Sequence, residues 1–133
     1  IKDLDFSNET VNDTQKKIVA VATNSAKYGI SARSGYCQAW VADVYQAVTG
    51  SRGSAHCALC AADMWAVSSD WSKIPVGAAI YGYSSSKYGH VGIYIGNGMV
   101  AHNIGYIKIE PIEDWIKTYK GFAWGWENGY IKE

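Results

Sequence analysis

GHVGIYIGNGMVAHN, residues 89–103, carries two of the chain's three histidines, His90 and His102. Its first half alternates: Val91, Ile93 and Ile95 point one way, and His90, Gly92 and Tyr94 the other. That is the period of a half-buried β-strand. Gly96-Asn97-Gly98 then supplies residues that tolerate left-handed backbone, and an apolar run, Met99-Val100-Ala101, leads back to the second histidine. The stretch is a β-hairpin. Its register is open at this point. A two-residue Asn97-Gly98 turn sets Asn103 across from Gly92, whereas a three-residue Gly96-Asn97-Gly98 loop sets His102 there, beside His90.

Outward from the hairpin, the period is two on its own side of Pro75 and Gly77 and helical before them. "AAIYGY", "HVGIYI", "MVAHN", "YIKIE" and "FAWGWE" are five short strands separated by Gly, Ser or Asn. "PIEDWIKTYKG" is a short helix or turn before the last of them, with Pro111 suited to a first helical position. Toward the N-terminus, "NETVNDTQKKIVAVATNSAKYG" is an amphipathic helix capped around Thr10 and Asp13 and stopped at Gly29. "YCQAWVADVYQAVTG" is a second helix, with Trp40, Val41, Val44, Tyr45 and Val48 on one face and Cys37 in its first turn. "SAHCALCAADMWAVS" is a third. Helices followed by a meandering antiparallel sheet of about five strands make an α+β domain.

The chain has 133 residues, enough for one domain, 1–133, with a single substantial core. Twelve basic and twelve acidic residues cancel without forming like-charge runs, which gives no support to nucleic acid or an anionic membrane as partner. No stretch approaches the length of a membrane span. The chain opens on Ile1 without a signal peptide and is expected to be a fragment of a longer protein. Three cysteines leave at least one thiol unpaired within the chain.

Cys37 is the candidate nucleophile. Only thiolate attacks, and a helix N-terminus is expected to lower a thiol's pKa, because unpaired N–H groups there favour an anion. Gly35 lets the chain turn tightly into that helix. A helix-borne cysteine facing a strand-borne histidine, His90, held by a further polar residue, is a constellation for acyl transfer.

These residues resemble the NlpC family of cysteine peptidases (the NlpC/p-sixty family), which cut bacterial cell-wall peptides. The resemblance runs over roughly residues 18–126 and rests on "GHVGIYIGNG", a histidine twelve residues after its first, and Cys37 upstream. Where the family usually has Asp-Cys-Ser-Gly, this chain has Tyr36-Cys37-Gln38-Ala39. "CAADMWAVSSDWSKIPVGAAI" resembles instead the related CHAP amidase/peptidase domains. The resemblance implies a papain-like fold with Cys37 as nucleophile, His90 as general base and His102 as the residue that holds the His90 ring. It thereby favours the three-residue loop. The Cys37 backbone N–H is a candidate oxyanion donor. Tyr28 matches a groove-lining tyrosine of the family, and Tyr36 and Asn103 join it as candidate substrate-binding residues. The implied substrate is bacterial peptidoglycan, cut at an amide of the stem peptide after D-isoglutamyl, with no cofactor. The implied setting is secreted or at the cell wall, as in an autolysin or phage lysin, with a wall-targeting domain elsewhere in the full chain.

Two other readings stay open: a CHAP-type N-acetylmuramoyl-L-alanine amidase, and a non-catalytic wall-binding module whose abundant aromatics grip glycan. Permuted acyltransferases of the same superfamily place histidine before cysteine, the reverse of the order here. His56-Cys57-x-x-Cys60 has the look of half a zinc site or a redox pair. A zinc site needs a second ligand pair, so the expected role of Cys57 and Cys60 is packing on a helix face, and no metal is expected. "DLDFSNE" has acidic spacing faintly like a calcium loop, without the central glycine or closing glutamate, and is expected to be a lead-in to the first helix.

Overall fold

The computed structural model describes residues 11–130; Thr10 and the "DLDFSNE" segment lie outside them. Four helices and a six-stranded antiparallel sheet make up an α+β fold. In chain order they are α1 (Asp13–Thr23), α2 (Cys37–Thr49), α3 (Ala58–Trp65), β1 (Ala66–Ser68), β2 (Ala79–Gly82), β3 (His90–Gly96), β4 (Met99–Asn103), β5 (Ile107–Pro111), α4 (Ile112–Tyr119) and β6 (Ala123–Gly125). The sheet order is β1-β6-β2-β3-β4-β5.

The five expected strands all form, as β2 to β6. The sixth, β1, occupies what was expected to be the tail of the third helix, pairing Ala66 with Gly125 and Ser68 with Trp124. The first helix is also shorter than expected. Asn12 caps it in a reciprocal box with Gln15, and after Thr23 the chain tightens into a 3-10 turn, Ser25–Tyr28, that ends at Gly29. Pro111 sits one residue earlier than expected, at the N-cap of α4.

The sheet has two covered faces. On one, Val91, Ile93, Ala79, Tyr81 and Ala101 pack against Ile18 and Val21 of α1, Trp40, Val41, Val44 and Tyr45 of α2, and Ala61 of α3. On the other, Ile80, Tyr94, Val100 and Trp124 pack against Ile112, Trp115 and Ile116 of α4. The period-two alternation of β3 thus sends Val91 and Ile93 into one core and Tyr94 into the other.

The β3–β4 hairpin has the turn of one expectation and, further down, the register of the other. Its tip is a two-residue turn: Gly96 pairs with Met99, and Asn97 and Gly98 both take left-handed backbone, φ 53° and 73°. The three-residue loop does not form. A bulge at Ile95–Gly96 then shifts the register by one, so that Tyr94 pairs with Val100 and Ile93 with Ala101. Continued down the strands, that register puts His102 opposite Gly92. A Cβ added at Gly92 would stand 3.1 Å from the His102 Cβ.

Candidate active site

Cys37 begins α2 at the wall of a cleft of about 570 Å³ that His90 also lines, together with Tyr36, Cys57, Tyr88 and Tyr119. The local sequence explains the placement. Gly35 takes φ 83°, turning the chain into the helix, and no side chain caps the N-terminus, so its N–H groups stay available to the sulfur. His90 is the first residue of β3, at the end of the sheet. Its ring lies on the α4 face and stacks on Tyr119, with centroids 4.2 Å apart. Thiol and imidazole therefore come from opposite layers and line the same cleft at the sheet's end.

The expected pKa of Cys37 is overturned. Burial pushes the thiol above its ordinary value, with a small upward push from the Glu127 carboxylate. The backbone N–H groups of Val91, Gln38 and Cys37 itself favour thiolate but do not outweigh it. The helix start is real, yet desolvation of a half-buried sulfur is the larger effect. His90 moves in the complementary direction: burial, aided by His102, holds it down to about 3. At neutral pH the pair is thiol and neutral imidazole rather than an ion pair.

His102 is fully buried, and its Nδ1 lies 2.8 Å from His90 Nε2. Its Nε2 lies 2.5 Å from a carboxylate oxygen of Glu110, on β5. Burial holds His102 below its ordinary range, against the upward pull of that carboxylate. Glu110 is the residue that the sequence did not single out. Its carboxylate can only accept when ionised, which fixes every proton in the series. His102 carries its proton on Nε2 and offers Nδ1 as acceptor. His90 then donates from Nε2 and leaves Nδ1 as a bare lone pair, the atom that can take a proton from a nucleophile. Trp115 and Tyr119 wall the two rings on the α4 side.

The remaining candidates separate. Tyr36 lines the cleft with its ring half exposed and the Arg33 guanidinium above it. Tyr28 is not brought to the cleft; it lies on the 3-10 turn under the Lys17 ammonium. Asn103 reaches the cleft wall but is 2 % exposed, and its amide is spent on backbone. It donates to the Arg33 and Tyr36 carbonyls and accepts from the Gly105 N–H, so it tethers the loop leading into α2 rather than offering hydrogen bonds to a ligand. Cys57 and Cys60 are joined in a disulfide, which corrects the expectation of simple helix-face packing. Among the described residues, no group of three or more His, Cys, Asp or Glu is placed to hold a metal ion.

The arrangement suits nucleophilic catalysis. A sulfur attacking a carbonyl could pass its proton to His90 Nδ1, and the imidazolium formed would be stabilised through His102 to Glu110. The Cys37 backbone N–H, at the uncapped start of α2, is a candidate donor to an oxyanion formed there. No model of a known protein family matches the chain, and no curated protein does either.

Proposed function

We propose that this domain is a papain-like cysteine peptidase that hydrolyses peptidoglycan, acting on an amide of the stem peptide, most simply the γ-linked D-isoglutamyl bond. The observation that carries the proposal is the His90–His102–Glu110 series ending in a free imidazole nitrogen, in the same cleft as a helix-start thiol. The resemblance to the NlpC/p-sixty family supplies the substrate class. A γ-linked acyl chain is unbranched at the scissile carbonyl and fits an open cleft rimmed by Tyr36 and Tyr88. The protein would act at the bacterial wall, without a cofactor.

Digestion of purified sacculi followed by mass spectrometry of the fragments tests this. Expected are muropeptides that keep muramic acid joined to alanyl-isoglutamate, with a free amine on the released diamino acid. Peptides starting at a free L-alanine would make the enzyme an amidase. Cys37→Ser should abolish release of either kind while the protein remains folded. Undiminished release by folded Cys37→Ser overturns the proposal.

A further inference from the structure

Cys57 and Cys60 are not equivalent partners in their disulfide. Cys57 is the N-cap of α3, 9 % exposed, and its sulfur lies 3.0 Å from the Cys60 backbone N–H. It also forms part of the wall of the cleft that holds Cys37. Cys60, one turn into the helix, is exposed to solvent. One sulfur is therefore open to attack, and the other already occupies the place where a departing thiolate is best stabilised. The N–H aimed at the Cys57 sulfur favours negative charge there, so the S–S bond is expected to break toward Cys57 when Cys60 is attacked.

We propose that the Cys57–Cys60 disulfide is a thiol-exchange site: a low-molecular-weight thiol attacks the Cys60 sulfur, and Cys57 departs as thiolate into the cleft wall. The attacking thiolate forms a new S–S bond to Cys60 as the Cys57–Cys60 bond breaks, its electron pair going to Cys57. A second thiol molecule attacks the mixed disulfide, leaving Cys60 reduced and releasing the small-molecule disulfide. Two thiols are oxidised as one protein disulfide is reduced, and the small-molecule disulfide drives the reverse.

Reduction need not undo α3. The hydrogen bond from the Cys60 N–H to the Cys57 sulfur does not require the S–S bond and gains strength with a charged acceptor. The Leu59 N–H is separately held by the Tyr88 carbonyl, 3.0 Å away. The reduced form then has a second thiol in the cleft wall, in addition to Cys37.

The exchange needs no cell-wall substrate, so its test is independent of the proposed hydrolysis. Cys37→Ser protein is incubated with reduced glutathione, quenched in acid and mapped by peptide mass spectrometry. Glutathione should appear on Cys60 with Cys57 free, and the far-UV circular dichroism should be unchanged. In wild-type protein reduced by a dithiol, limiting iodoacetamide should label Cys60 before Cys57. Three results would overturn the proposal: glutathione on Cys57, a disulfide that reduces only once the protein unfolds, or Cys57 labelled before Cys60.

Discussion

Replacing Glu110 by glutamine exchanges one oxygen for an NH₂ group, which allows the proton series to run in reverse. Glutamine can donate to His102 Nε2, which moves the His102 proton to Nδ1 and makes Nε2 of His90 the acceptor. The proton of His90 then stands on Nδ1, where the base is needed. Glu110→Gln should therefore cut turnover by on the order of 100-fold, with the melting temperature little changed, as read from kcat and thermal unfolding of the same preparation. Near wild-type kcat would remove Glu110 from the proton series. Cys37, His90 and His102 were legible in the sequence because thiol and imidazole are scarce and their hairpin spacing is distinctive. Glu110 was not. In "YIKIE" it sits in an alternation with Lys108 that looks like a solvated strand face, and only the pairing of β4 with β5 brings it to His102. Tyr28 failed for the opposite reason: a matching residue type was given a place that the 3-10 turn does not give it.

Between residues and fold stands the β3–β4 hairpin, whose register was settled by a device that the turn residues do not announce. Asn97-Gly98 made the turn that its sequence favours, and Gly96, free to take φ 89°, absorbed the extra residue as a bulge. The bulge, not the turn, brings His102 to Gly92. Gly92 has no room to spare: an added Cβ would stand 3.0 Å from Val100 Cγ1, 3.1 Å from His102 Cβ and 3.2 Å from the Ala101 carbonyl oxygen. Gly92→Ala should thus cost about 1–3 kcal/mol in a denaturant titration and reduce activity further than the lost stability explains, by pushing His102 away from His90. Wild-type activity in the folded variant would mean that the pair tolerates displacement. The third helix was overextended because nothing after Trp65 in "MWAVS" stops a helical period. Its end is set from afar, by β6. Gly125 lets the two backbones meet, since a Cβ there would come within 2.0 Å of the Trp65 carbonyl oxygen.

At the level of the whole molecule, both cores depend on groups that resist charging. Glu127 is fully buried; burial raises it to about 7, although Tyr81 and Gln38 donate to its two oxygens. Since the folded value lies above the ordinary 4.5, the folded state holds a proton that the unfolded chain has lost. That contribution is fully present below 4.5 and is lost as pH rises through about 7. Glu127→Gln removes it. The variant should gain on the wild type as pH rises from 5 to 8, measured as the difference in melting temperature across that range. A difference that does not change with pH would mean that Glu127 is ionised throughout. His90 acts in the other direction. Its folded value lies below the ordinary 6.5, so the neutral ring stabilises the fold above 6.5 and that stability is lost as pH falls toward about 3.

The α+β class and five of the strands could be read from periodicity, because each core-facing run repeats its own period. The second layer could not, because "PIEDWIKTYKG" gives a helix but not the face of the sheet it covers. That layer has a consequence in time. Synthesis delivers Cys37 first, whereas Glu110, Trp115 and Tyr119 lie more than 70 residues further along the chain. A nascent chain can display the thiol long before any partner exists to take its proton. The proposed wall-cutting activity would therefore wait until α4 has been made, and products that end before it would lack the groups that orient the base.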